Sequence, residues 1–229
     1  MDRSGTAQTT QVEVSRMIYL LPSLSTTQEH IVRESENFGL LLTRSSGIRE
    51  QFLNVGAMFA AENECFTKGD KFSLPKYLNF LRRLIPFQNN CLFATAPDVV
   101  SDAKATWERS EKVLEQIRSL GFPAALVAQD GMEDLPIHWH KFDALFIGGS
   151  TEWKLSESSF WLIREAKKRG KWAHLGRVNS KMRLRIAEQA GCDSADGTYL
   201  AFAPKVNLPK LENWLNSVNR EPSLKGFYL

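Results

Sequence analysis

Carboxylates recur at one kind of place in this sequence, directly after short apolar runs. Glu62 and Glu64 follow AMFAA (57–61), Asp98 follows CLFAT (91–95), and Asp130 follows AALVA (124–128). The stretch AGCDSADGTYLAFAP (190–204) holds Asp193 and Asp196 three positions apart, with no balancing charge close by in sequence. Acidic residues form strands poorly and are costly to bury unpaired, so their retention at such places points to use. Two carboxyl groups in one site perform a definite chemistry: one, ionised, stabilises or captures a developing cation, while the other, protonated, gives its proton to a leaving group.

Positioning such groups is the task of the surrounding elements. Eight short apolar runs with β-forming residues cross the chain: MIYLL (17–21), GLLLT (39–43), AMFAA, CLFAT, AALVA, ALFIG (144–148), WAHLG (172–176) and, more weakly, DSADG (193–197). Most are separated by segments that read as helices, namely LPKYLNFLRRLI (74–85), SDAKATWERSEKVLEQIRSLG (101–121), SESSFWLIREAKKRG (156–170), SKMRLRIAEQAG (180–191) and NLPKLENWLNSVN (207–219). In several of these Ser or Asn precedes the first turn and Gly follows the last, as helix caps require. Strands alternating with helices pair in parallel, and eight such units predict a single compact (β/α)8 barrel domain over residues 16–229, preceded by a loose polar tail over 1–15. Such a barrel gathers its functional groups at the C-terminal ends of its strands. The residues that end each run therefore form one candidate set: Glu62, Asn63 and Glu64; Asp98; Gln129 and Asp130; Gly149, Ser150, Thr151 and Glu152; Arg177 and Asn179; and Asp196.

Composition bounds the alternatives. The 229 residues, 43% hydrophobic and 24% charged, suit one domain with a substantial core. No run of about 18 apolar residues is present and the N-terminus lacks the pattern of a signal peptide, so a cytoplasmic location without membrane attachment is expected. Cys65, Cys91 and Cys192 are widely spaced and form no CxxC pair, which predicts free thiols and no thiolate zinc site. His138 and His140 form an HxH pair without evident further ligands and read as a surface loop, so no metal and no cofactor are expected. Net charge is only +3, yet nine basic residues lie between Arg164 and Arg185 against one acidic residue, Glu165. That segment faces either phosphate or plain solvent.

Two segments, FDALFIGGSTEWK (142–154) and HLGRVNSKMRLRIAEQAGCDSADGTYLAF (174–202), resemble queuine-type tRNA-guanine transglycosylases. In that family a strand ending in Gly-Gly, a helix, a strand with a Gly-containing loop and a second helix lead into a Gly-x-Asp-x-x-Asp turn. Gly191, Asp193 and Asp196 match the turn, and the resemblance makes Asp196 the nucleophile, whereas the Asp193 side chain reads as one that orients the turn. AENECF (61–66) is similar to the segment that holds the family's acid/base carboxylate, which implies Glu62 for that role, with Asn63 beside it and Phe66 as the ring that stacks on the base. TAPDVV (95–100) places Asp98 at the base-reading aspartate, and VAQDG (127–131) places Gln129 and Asp130 in a base-recognition loop that Gly149 and Ser150 complete. The resemblance spans residues 57–204.

The departures are equally informative. The family's zinc motif of three cysteines and a histidine and its Pro-Thr-Arg run after the nucleophile are both missing, which argues against a tRNA substrate. Compact phage and bacterial relatives that install 7-deazaguanines in DNA lack the same parts, so the resemblance implies DNA. The family's Leu-Ala-Val-Gly loop is replaced by Ser150-Thr151-Glu152-Trp153, which implies a different base.

Cleaving an N-glycosidic bond leaves positive charge on the sugar and negative charge on the base, and a carboxylate plus a carboxylic acid answer both needs. Asp196 and Glu62 fit these roles. The expectation is a DNA glycosylase that flips out a modified base, as in defence against phages with modified genomes, with base exchange as the alternative and an idle nucleic-acid-binding barrel as a second. Phe66 or Trp153 would stack on the base, while Arg177, Lys154 and Asn179 would hold flanking phosphates. Arg183 and Arg185 are expected on an outer helix. Structural readings stand beside these: Asp98 as an anion at a helix N-terminus, and Phe66 and Trp153 as packing residues.

Overall fold

All eight apolar runs are strands, hydrogen-bonded in sequence order from β1 to β8 and closed by pairing of β8 with β1. The computed structural model describes residues 16–22, 31–32 and 35–220. The tail expected over 1–15, and residues 221–229 of the expected barrel domain, lie outside the described residues. The strands are β1 (Ile18–Leu21), β2 (Phe38–Thr43), β3 (Phe59–Glu62), β4 (Cys91–Thr95), β5 (Ala124–Ala128), β6 (Ala144–Ile147), β7 (Trp172–Leu175) and β8 (Ser194–Asp196). Every pairing is parallel, giving a (β/α)8 barrel.

The helices are α1 (Glu50–Leu53), α2 (Cys65–Lys68), α3 (Leu74–Leu84), α4 (Ala103–Ser119), α5 (Thr151–Lys154), α6 (Glu157–Lys168), α7 (Lys181–Ala190) and α8 (Pro204–Arg220). Helix α3 shows why they lie where they do. Its Tyr77, Phe80, Leu81 and Leu84 recur at the spacing of one helical face and are all buried, and each large apolar side chain so buried contributes about 1.5–3 kcal/mol. The sequence also marks the ends. Asp102, Ser156 and Ser180 accept backbone N–H bonds from the first turns of α4, α6 and α7. Gly191, at φ 99°, terminates α7 in the left-handed conformation that glycine adopts at little cost.

Period-two alternation divides the strands' side chains between two cores. One set packs outward under the helices. The other fills the lumen with Ile18, Leu20, Leu41, Ala60, Phe93, Ala125, Val127, Ala144 and Phe146. The three cysteines are buried free thiols, and among the described residues no helix is long and apolar enough to cross a membrane.

The end of the barrel where strands begin is held by ion pairs. Lys167 of α6 grips both oxygens of Asp193 at 2.7 and 2.6 Å, and Asp193 also accepts the Ala173 N–H. The charge that seemed unbalanced in sequence is thus balanced from 26 residues upstream. Arg118 forks onto Asp143 at 2.9 and 2.7 Å, Lys171 donates to the Phe142 carbonyl, and Lys168 and Arg169 both pair with Glu165. Much of the basic run from Arg164 is therefore structural.

Candidate active site

Following each strand inward by twos leads to the opposite end. Beyond Ala60, Phe93, Val127, Phe146, His174 and Ser194 come Glu62, Thr95, Gln129, Gly148, Gly176 and Asp196, and all six line one cavity. The inward positions filled by Gly148 and Gly176 leave the space open. A Cβ at Gly148 would lie 2.7 Å from Val127, and one at Gly176 would lie 2.9 Å from Phe146. The cavity is about 520 Å³ including its open mouth. Val127 and Phe146 give it apolar surface, and Asn63, Phe66, Asp98 and Arg177 complete its walls.

Glu62, at the end of β3, keeps partial contact with the cavity but is otherwise enclosed. Burial, and then the negative charges of Asp196, Asp98 and Glu64, push its carboxyl up to about 8. It is a carboxylic acid at neutral pH. Glu64, in the left-handed region at φ 68°, is buried with Arg44 3.7 Å away.

Asp98 is fixed from several sides. Its Oδ1 accepts Asn63 Nδ2 at 3.1 Å and its Oδ2 accepts Gln129 Nε2 at 2.7 Å. Burial raises its carboxyl, and the hydrogen bonds from Asn63 and Gln129 and the Arg109 charge offset only part of that. Helix α4 holds the loop beneath it: Thr106 and Val99 bond each other, Ser110 donates to the Pro97 carbonyl, and Arg109 donates to the Asp98 carbonyl. Asp98 precedes that helix, as its structural reading supposes, and also lines the cavity. Asn63 further donates to the Ala96 carbonyl and accepts the Cys65 N–H.

Asp196 ends β8 at 8% exposure. Its Oδ1 receives two bonds, from His174 Nε2 at 3.0 Å and from the Arg177 backbone N–H at 3.2 Å. Among the described residues Oδ2 has no hydrogen-bond partner. His174, wholly buried in the lumen, was not legible as a functional residue in WAHLG. Trp172 Nε1 donates to Ser194 Oγ at 2.8 Å, and Ser194 Oγ meets His174 Nδ1 at 2.8 Å. Indole only donates, and an ionised carboxylate only accepts. With Asp196 ionised, Nε2 carries the proton shared with Asp196 and the Ser194 hydroxyl donates to Nδ1. The Ser–His–Asp order is not a nucleophilic triad, because Ser194 is fully buried. Tyr19, also unforeseen, donates to the Val178 carbonyl at 2.7 Å, and burial followed by the charge of Asp196 raises its phenol far above the ordinary value.

Arg177 adopts φ 61°, an uncommon conformation for a residue with a side chain. This bend aims its N–H at Asp196 while its guanidinium donates to the carbonyls of Gly148, at 2.8 Å, and Gly149, and stands 4.9 Å over the Phe66 ring. Phe66 is 56% exposed at the cavity rim.

Other candidates stand behind the wall. Asp130 accepts the Ser150 N–H and hydroxyl at 2.8 and 2.6 Å, bonds that outweigh burial and lower its carboxyl. Trp153 is buried with its Nε1 on Glu133, and a Cβ at Gly149 would meet both Asp130 and Trp153 at 2.5 Å. Asp130, Gly149, Ser150 and Trp153 thus shape the loop after β6 without lining the cavity. Lys154 is 3% exposed and donates to the Gly176 carbonyl at 2.7 Å. Asn179 is exposed near the tight turn at Gly197. His138 stacks on Trp107 at 5.1 Å, away from the cavity.

No protein-family model and no curated protein matches this chain. Solved structures do match. Tryptophan synthase from M. tuberculosis superposes with TM-score 0.57 at 12% identity, covering 92% of this chain and 94% of that one. Dihydrodipicolinate synthase from Bacillus clausii gives 0.53 at 10% identity, covering 91% and 77% respectively. The HpcH/HpaI aldolase from Desulfitobacterium hafniense DCB-2 gives 0.51 at 11%, covering 94% and 96%. None of the three is a transglycosylase. At such identities the match defines the class, a (β/α)8 barrel, and leaves the chemistry to the site.

Proposed function

We propose that this barrel cleaves the N-glycosidic bond of a modified nucleobase in DNA, with Asp196 as nucleophile and Glu62 as general acid. The observation that supports this most is the pair of carboxyl groups held differently in one cavity: Glu62 raised to about 8 by burial and neighbouring anions, and Asp196 served by two N–H donors on a single oxygen. Environments that separate two carboxyls in this way suit one to donate a proton and the other to meet a cation. Oδ2 of Asp196 attacks C1′ as Glu62 protonates the departing base, and water then releases the sugar. Asn63, Asp98 and Gln129 form a polar wall able to read a base edge, and the Phe66 ring provides a stacking surface. The role proposed for such an activity is exclusion of phages with modified genomes.

The test is incubation with DNAs that differ in base modification, with mass analysis of released bases and alkali cleavage of the strand. Free base together with alkali-labile sites is the expected result. Release that requires a second base and leaves an alkali-stable strand would identify base exchange. Binding without release from any DNA would leave a nucleic-acid-binding barrel.

A further inference from the structure

We propose that a recess beside the carboxylate cavity is a phosphoryl-binding site formed by Lys154, Arg177, Arg183 and Thr151. The recess, about 190 Å³ including open space, shares Gly176 and Arg177 with the carboxylate cavity. The two spaces therefore adjoin. Arg183 and Arg185 both belong to α7, the outer helix on which they were expected. On that helix they diverge: Arg185 donates to Ser217 of α8 at 3.1 Å, while Arg183 lines the recess.

Three cations converge here without a matching set of anions. Among the described residues the Arg183 side chain has no hydrogen bond or ion pair, and the Lys154 ammonium makes one bond, to the Gly176 carbonyl. An ammonium has three N–H donors and a guanidinium five, so most of this donor capacity is unused. The carboxylates that act on Lys154 are engaged elsewhere, Asp130 with Ser150 and Asp196 with His174 and the Arg177 N–H. Burial, and then the charges of Arg177 and Arg183, bring the Lys154 ammonium down to about 8 despite those two carboxylates. The contrast with Lys167, Lys168 and Arg169 of the same basic segment, all ion-paired, is direct. A tetrahedral oxyanion takes bonds from a guanidinium fork and an ammonium together and relieves their mutual repulsion. Two sources share this chemistry: the phosphodiester beside a nucleotide whose base fills the cavity, and a phosphate carried by a small substrate. The strand as source rests on the proposed function, whereas the anion site does not.

The experiment has two arms. In the first, protein labelled at lysine Cε is titrated by NMR with and without inorganic phosphate. Phosphate should move the Lys154 midpoint upward from about 8, and Arg183→Ala should remove that effect; a midpoint indifferent to tens of millimolar phosphate would overturn the site. In the second, binding of a short single-stranded oligonucleotide and of deoxynucleoside 5′-monophosphates is measured for Arg183→Ala and Arg185→Ala without any turnover. Arg183→Ala should weaken the oligonucleotide about tenfold and lower its salt slope by about one unit, with Arg185→Ala near wild type. Equal effects of the two substitutions would overturn the proposal. Loss by Arg183→Ala of monophosphate binding alone, with no oligonucleotide affinity in the wild type, would keep the site and sink the reading of DNA as substrate.

Discussion

The two ends of the barrel handle charge in opposite ways. Where strands begin, Lys167 meets Asp193, Arg118 meets Asp143, and Lys141 meets Glu111 at 2.8 Å. Where strands end, burial and the charges of Asp196, Asp98 and Glu64 raise the cost of ionising Glu62, while Lys154, Arg177 and Arg183 crowd a neighbouring recess. The first arrangement stabilises the fold. The second opposes it, and a protein keeps such repulsion where a ligand or a reaction draws on it.

Substitutions at the two ends should therefore fail differently. The largest effect is expected from Asp196→Asn, which removes the charge proposed to meet C1′ and should reduce base release by about a thousandfold or more while leaving DNA affinity nearly unchanged. Undiminished turnover would remove Asp196 from the chemistry.

Glu62→Gln comes next, slowing loss of a poor leaving base by about a hundredfold or more and of an activated base far less. Wild-type activity should fall as pH rises through about 8, where the acid loses its proton. Stability gives an independent check. A folded pKa above the unfolded value means that the native state holds the proton more tightly, so stability is greatest below the unfolded value and declines as pH rises to about 8. Glu62→Gln should flatten that decline and make the protein a few kcal/mol more stable at neutral pH, read from urea midpoints.

At the other end, Lys167→Met leaves Asp193 buried and without its ammonium. Unfolding stability should drop by about 2–3 kcal/mol, below the figure for a fully buried pair because Lys167 keeps a third of its side chain in water. The kinetic constants of the protein that remains folded should not change. A selective loss of turnover would join the two ends functionally and break the comparison.

The smallest effect belongs to Arg118→Met. Its partner Asp143 is about as exposed as Arg118, at 40% against 37% of the side chain. A loss of about 0.5 kcal/mol in chemical denaturation is expected, fading with added salt.

Much of this architecture was legible because it is local. Period-two apolar runs and capped helices mark strands and helices to within a few residues: CLFAT and AALVA coincide with β4 and β5, and even the three-residue β8 falls within DSADG. Glu62, Asn63, Asp98, Gln129 and Asp196 were legible as strand-end polar residues, and the structure brings them to one cavity. His174 was not, because a histidine inside an apolar run reads as core until Ser194 and Asp196, on another strand, are seen beside it. The seating of Lys154, the inward turn of Trp153 and the divergence of Arg183 from Arg185 depend on neighbours distant in sequence, which helical spacing does not reveal.

Closure of the barrel gives the carboxylate of β8 a further meaning. That strand pairs Ser194 with Ile18 on one side and with His174 on the other, so the segment that seals the sheet also delivers Asp196. A chain that stops before residue 194 has two unsealed edges, at β1 and β7, and lacks Asp196. Pairing residues so far apart in sequence is the slow part of assembling such a topology. Recovery of the proposed activity during refolding should therefore trail the return of helical signal and report the moment the ring seals.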